Sequence, residues 1–259
     1  MRKKILKIAK YLLITLIWLG IWQFAAMRVG KELLFPTPLS VARRIVELLG
    51  GVTLYKTVAL SLLRILIGML IGTLIGAIGG LLTALSSLAR SFFAPLLAVV
   101  KATPVASFII LLVLWISRDT TPLIIAAMMV TPVVWANVES GILHTDAALL
   151  EMAKAYKMPF PQRLRHIYLP SISPYFFSAL RSSLGMAWKA GIAAEVLLQP
   201  LVSIGKMIFE AKHTLETVDL FAWTVIVVVL SVLIEKAMVA LFAAVLKRRG
   251  AEMGGAKNA

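Results

Sequence analysis

Six stretches of this chain, residues 11–27, 58–85, 92–116, 122–138, 175–198 and 220–246, are long, apolar and sparsely charged. Crossing the ~30 Å hydrocarbon core of a bilayer takes about 20 such residues in an α-helix. The two shorter stretches, 11–27 and 122–138, reach that length by extending a turn into the interface. Within lipid the backbone has no water to bond, so a spanning segment must be a helix or part of a closed barrel. Runs this continuous read as helices. The expected fold is all-α, a polytopic membrane bundle of six transmembrane helices. Composition excludes a soluble alternative. Apolar residues make up 60% and charged residues 15% of the 259, against roughly 45–50% and about 25% in soluble domains, and the mean hydropathy is +0.93. The absence of cysteine excludes disulfides, thiolate metal sites and cysteine nucleophiles. His144, His166 and His213 are too scattered to suggest a metal centre.

The positive charges orient the bundle. Arg2, Lys3, Lys4, Lys7 and Lys10 precede the first stretch, and Lys247, Arg248 and Arg249 follow the last. Basic loops stay inside, so both termini are expected in the cytoplasm, which requires an even number of crossings. The chain divides into a basic cytoplasmic N-terminus (1–10), a transmembrane domain (11–249) and a small, polar, disordered tail (250–259). The long loop at about 141–173, with Lys154, Lys157, Arg163 and Arg165, falls on the cytoplasmic side too. Ala25-Ala26-Met27 is followed by Arg28, a poor cleavage context, so the first stretch is expected to remain as a span. A net charge of +15 reads here as topology and anionic-lipid contact, not nucleic-acid binding. After the first span, Thr37-Pro38-Leu39-Ser40 leads into residues 41–49, where apolar and charged positions alternate at helical spacing. That segment predicts a short amphipathic helix on the outer interface.

Gly68, Gly72, Gly76 and Gly80 recur four apart in the second span, with Gly79 beside the last. Such a stripe lets another helix approach closely, either for packing inside the bundle or as a mobile contact used in gating. The 141–173 loop is too structured for a connector. Leu149, Leu150, Ala153 and Tyr156 recur at helical spacing, Asp146 is placed to cap the start, and Pro159 turns Met158 away from helix. A second short helix is expected over residues 161–168, ending before Pro170. Long ordered loops are usually functional; this one reads as an amphipathic element resting on the bilayer or as a docking element for a cytoplasmic partner.

Arg64, Lys101, Arg181, Lys189, Glu195, Glu235 and Lys236 fall inside apolar stretches. At a helix centre each costs at least ~2.5–3.5 kcal/mol and needs water, a partner or a route to the interface. Arg64 and Arg181 lie near span ends, where snorkelling serves, and Glu235 and Lys236 are expected to pair or snorkel. Lys189, near the middle of the fifth span, and Lys101, in the third, have the longest way to water. Structural pairing or a water-filled solute pathway accounts for each. Glu195, nearer the outer mouth, is expected to pair with a lysine or face the gate.

The loop reads Glu151-Met152-Ala153, then Lys157, then Ile167-Tyr168-Leu169-Pro170. It resembles the signature of permease subunits of binding-protein-dependent ABC importers: Glu-Ala-Ala, three residues, Gly, about nine residues, then Ile-x-Leu-Pro. Met152 replaces the first alanine and Lys157 the glycine. Ser61–Arg64, Pro104-Val105-Ala106, Ala187-Trp188-Lys189 with Ala193-Ala194-Glu195, and Leu220–Thr224 look like the nitrate/sulfonate/taurine class of these permeases. The resemblance covers roughly residues 10–249. It implies that Glu151, Ala153, Lys157, Leu169 and Pro170 couple to a separate ATPase subunit that binds ATP and magnesium, so this chain itself takes no cofactor. No Gly-x-x-x-x-Gly-Lys-Ser/Thr occurs in it, and it is not expected to be an enzyme. The implied partners are the ATPase subunits, a second permease copy, an extracytoplasmic solute-binding protein and membrane lipid, in the plasma membrane. The solute would be a small anion or organic molecule, sulfonate-, nitrate- or taurine-like. The rival reading is a secondary transporter or channel not driven by ATP, which would normally show inverted halves with matching broken helices; no such symmetry is visible. A membrane-embedded enzyme would need clustered acid, base or nucleophile side chains, which the 200–219 loop does not offer.

Overall fold

The computed structural model describes the backbone of residues 2–255 and the side-chain surroundings of residues 9–241. Its regular elements are all helical: α1 (Arg2–Val29), α2 (Pro38–Leu49), α3 (Val52–Leu85), α4 (Ser87–Ala102), α5 (Val105–Leu112), α6 (Thr121–Leu143), α7 (Ala147–Ala155), α8 (Phe160–Arg163), α9 (Leu169–Leu198), α10 (Ile204–His213) and α11 (Thr217–Gly255). Helix α11 thus continues into the first residues of the 250–259 tail, and residues 256–259 lie outside the described residues.

Length and hydropathy qualify α1, α3, α6 and α11 as membrane spans, with the pair α4–α5 a fifth if its two arms act together. The directions of the helices count the rest. Gly68, Gly72, Gly76 and Gly80 of α3 meet Leu123, Ala127, Thr131 and Trp135 of α6 in that order, so α3 and α6 run parallel. The chain must therefore travel from one end of the bundle to the other between residues 85 and 121, and α4–α5 is a broken crossing, not a hairpin returning to its own side. Helix α9 runs antiparallel to its neighbours: Gly141 of α6 meets Ile172, Trp188 Nε1 donates to Val227 O of α11, and Arg181 lies beside Glu235. It is the sixth crossing, containing the 175–198 stretch, and its charged residues are tolerated because much of it is enclosed.

Two expectations change. The third stretch, 92–116, is not one straight helix: α4 and α5 meet at 99°. Pro104 has no N–H for the ladder and drives Thr103 to extended backbone (φ −76°, ψ 128°). The second loop helix does not stop before Pro170. It passes from α8 through one wide π-turn, Leu164–Tyr168, straight into α9. The Leu169 N–H donates to Leu164 O, five residues back. In a regular helix the Pro170 ring would collide with the carbonyl of His166; widening the turn makes room for it.

The glycine stripe is where α3 packs closely on α6 within the bundle. A Cβ on Gly72 would lie 2.4 Å from Ala127 O, and one on Gly76 2.7 Å from Thr131 O. Gly79 receives the ring of Trp135, whose Nε1 donates to Thr83 Oγ1 at 3.0 Å. Around this contact Ile65, Met69, Val130, Val134, Leu184, Trp188 and Ile204 form the main core. At the opposite end from the 141–173 loop, α2 begins at its cap Thr37, whose Oγ1 accepts from Ser40 N. Val41 is buried and Arg44 pairs with Asp219 of α11 and Glu47 of its own helix. These two carboxylates hold the Arg44 guanidinium protonated above its usual range.

Candidate coupling loop and transport face

The loop begins with Asp146, whose side chain accepts from Ala148 N at 2.9 Å and caps α7. It ends in a Schellman motif: Met158 N donates to Ala153 O and Lys157 N to Lys154 O, the 6→1 and 5→2 pair that closes a helix through a left-handed residue. That residue is Lys157, at φ 48°. The position where the related signature carries glycine is therefore the one that requires a left-handed backbone, and the turn forms here despite the side chain. Left-handed backbone costs a non-glycine residue roughly 1–2 kcal/mol. Lys157→Gly is expected to raise the melting temperature of the purified protein and Lys157→Val to lower it; the reverse order would refute the cap.

Glu151 is exposed on α7, as are Lys157, Leu169 and Pro170. Ala153 is not. It is 1% exposed, covered by its own chain. The expectation that Ala153 contacts the ATPase subunit is corrected: its side chain is covered by its own chain.

Glu195 also departs from expectation. It is fully buried and meets no lysine. Ser61 Oγ donates to its Oε2 at 2.7 Å, Arg64 Nη1 to its Oε1 at 3.1 Å, and Gly205 N to Oε2 at 3.2 Å. Burial in this knot removes it from any open gate. Arg64, with its side chain 16% exposed, does not snorkel: it also donates to Val202 O at 3.1 Å and reaches Asp119 Oδ1 at 3.5 Å. The signal for this pair was present as matched depth, an acid and a base each a few residues from the outer ends of their spans. Ser61, Asp119 and Gly205 carried no comparable signal, since polar partners from three separate elements meet only in the fold.

At the other end of the bundle, Arg90 Nε pairs with Glu139 Oε1 at 2.8 Å. Lys101 lies in the last turn of α4, two residues before the break, and is exposed. It lines a cavity of about 330 Å³ together with Arg90, Glu139, Thr83 and Trp135. Arg181 and Glu235 pair at 3.4 Å on the surface: Glu235 takes the first of the two courses expected of it, and Arg181, expected to snorkel, has a partner.

Helix α9 has two unlike faces. Ala179, Ser183, Ala187, Ala190, Gly191 and Ala194 are buried against the bundle. The opposite face exposes Ser178, Ser182, Met186, Lys189, Ala193 and Leu197, and Gly185 on it has open space around it. Helices α1, α3 and α11 expose mainly leucine, isoleucine and valine, as lipid requires; this face mixes Met186 and Leu197 with small and polar groups and one cation. Lys189 lies ~14 Å from the C-terminal end of α9. Among the described residues no carboxylate lies within ion-pair distance of Lys189 or Lys101.

Comparison with known proteins identifies the family. Residues 68–250 match the inner membrane component of binding-protein-dependent transport systems. The chain is 27% identical over 219 residues to the permease protein SsuC of Bacillus subtilis (strain 168), covering 84% of this chain and 79% of the relative. It is 23% identical over 246 residues to the taurine transport system permease protein TauC of Escherichia coli (strain K12), covering 93% and 88%. Its fold is similar to that in inward-facing structures of the MetNI methionine ABC transporter, with a TM-score of 0.64 at 17% identity over 74% of this chain and 96% of that one. The broken crossing, the capped loop and the enclosed charged helix are thus features of a membrane permease subunit, and the chain belongs to the family of inner membrane components of binding-protein-dependent transport systems, with relatives among sulfonate and taurine permeases.

Proposed function

We propose that two copies of this chain meet across the exposed α9 face and that a small anion, a sulfonate or a similarly sized organic or inorganic anion, passes between them. The observation that carries this reading is the face itself. A mid-membrane lysine among serines, glycine and alanine, with Met186 and Leu197 as the large apolar members of the face, suits neither lipid nor a dry helix contact, and a hydrated pathway accommodates the polar groups. Lys189 lowers the barrier to an anion from each copy. Lys101, beside the α4–α5 break, adds positive charge nearer the other end. The taurine-transporting relative has a sulfonate as its solute, which fits a cationic route. The chain supplies no ATP chemistry of its own in this reading. A separate ATPase subunit docks at the exposed residues of the 141–173 loop, with Glu151 on α7 and Leu169-Pro170 at the start of α9, and its closure tilts α9 directly because the π-turn leaves no joint between loop and span. The loop end faces the cytoplasm with both termini, and an extracytoplasmic binding protein delivers solute at the α2 and α10 end.

The test is copurification and uptake. Glu151→Lys places a like charge where a basic partner surface is expected, and it should reduce recovery of the ATPase subunit at least fivefold with membrane insertion unchanged. Full recovery together with ATP-driven uptake would remove Glu151 from the contact. Uptake that continues without any ATPase subunit would instead support a secondary transporter or channel.

A further inference from the structure

The knot around Glu195 does more than neutralise a buried carboxylate, because it holds the start of α10. Ser203 caps that helix, its Oγ accepting from Lys206 N at 3.1 Å. The next two backbone N–H groups, which a helix start leaves unpaired, are taken by other elements: Ile204 N donates to Ser61 Oγ of α3 at 2.9 Å, and Gly205 N to Glu195 Oε2 of α9 at 3.2 Å. Ser61 in turn donates to the same carboxylate oxygen. The approach is as close as backbone allows, since a Cβ on Gly205 would lie 2.3 Å from the Glu195 carbonyl carbon. Arg64 fastens the preceding loop through Val202 O. Asp119, just before α6, receives both Arg64 Nη2 and Leu201 N.

We infer that Glu195 is a positioning residue that makes α10 an outer lever for α9, so that pressure from the extracytoplasmic binding protein on α10 moves the helix carrying Lys189. This rests on the importer reading above. Three features fit it. First, α10 turns a polar surface outward, with Lys206, Glu210, Lys212 and His213 along it, suited to a soluble protein partner and not to lipid. Second, its inner side is fixed: Ile204, Gly205 and Ala211 are buried. Third, Glu195 lies six residues beyond Lys189 on one continuous helix, so a displacement of the knot is a displacement of the pathway face. Removing one partner of a buried ion pair strands the other charge, so the Glu195–Arg64 contact keeps this joint closed. The Asp119 contact is longer and half exposed; it is the part of the knot free to open when α9 moves against α6.

The experiment uses the reconstituted importer, with its ATPase subunit and liganded binding protein, in vesicles. Glu195→Gln keeps the shape and removes the charge that holds Arg64. The expected result is assembly and basal ATP hydrolysis within twofold of the unaltered importer, binding-protein affinity within twofold, and stimulation of hydrolysis by the binding protein reduced at least fivefold. Asp119→Asn, on the exposed arm, is expected to reduce the same stimulation ratio at least twofold and serves alone if Glu195→Gln fails to assemble. Lys206→Glu with Lys212→Glu should weaken binding-protein affinity instead. An unchanged stimulation ratio in Asp119→Asn or in assembled Glu195→Gln overturns the lever. So does a loss shared equally by yield, basal and stimulated rates, since that is merely structural. An importer that, unaltered, shows no stimulation by any binding protein fails at the prior reading instead.

Discussion

Gly72→Leu is expected to abolish recovery of folded protein. The argument is geometric. At Gly72 the first side-chain atom would meet Ala127 O at 2.4 Å, Ala127 Cα at 2.9 Å and Val130 Cβ at 2.9 Å. Two of the three are backbone, so no rotamer change relieves them. Accommodating leucine requires α3 and α6 to separate, and the same ridge carries Gly68, Gly76 and Gly80, each with a carbonyl oxygen of α6 within 2.7 Å of its would-be Cβ. Overpacking one site in a core costs about 1–3 kcal/mol when neighbours can yield; here four contacts are lost together, in a bundle where close packing replaces the hydrophobic drive between helices. Gly72→Ala should lower the melting temperature of the purified protein, and Gly72→Leu should leave no monodisperse peak on size exclusion. Gly20→Ala is the control, since nothing lies within 4 Å of that position. Normal recovery of Gly72→Leu would mean that α3 and α6 do not meet along this stripe.

The second large effect is on transport. Lys189→Met keeps length and removes charge, and it is expected to reduce ATP-driven uptake of an anionic solute at least tenfold with assembled complex unchanged. Tenfold corresponds to about 1.4 kcal/mol, a modest part of the ~4 kcal/mol between unit charges 4 Å apart at an effective dielectric of 20. Lys189→Glu should bring uptake to background. Yield should hold in both, because among the described residues no carboxylate is paired with Lys189 to be left stranded. Loss of assembled complex in Lys189→Met would make the residue structural. Wild-type uptake in both variants would place it off the pathway altogether.

Some of this was legible before any coordinates. The apolar stretches, the glycine stripe and the capped loop are local patterns, and each is written in residues that touch within a few turns or along one helix face. Asp146 caps where spacing placed it, and Thr37 opens the outer amphipathic helix. Ala153 misled because smallness in sequence does not say which side of a helix is covered. The 92–116 stretch misled because apolarity continues unbroken across Thr103-Pro104 although the backbone does not. Pro170 misled in the opposite direction: a proline that signals an ending was absorbed by a π-turn.

The amino-acid sequence by itself determined that this chain lives in a membrane, where most of its apolar helices lie and that the loop signature belongs to an importer's permease, because lipid leaves the backbone almost no alternative to helix and the signature is contiguous. Only the tertiary structure decided what each charge in those helices does. Arg64 and Glu195 are 131 positions apart and become partners through the antiparallel packing of α3 on α9, while Lys189 remains exposed because the bundle closes on the other side of its helix. A charge in lipid must find water or an opposite charge, and which one it finds depends on helix directions and rotations that no local pattern encodes.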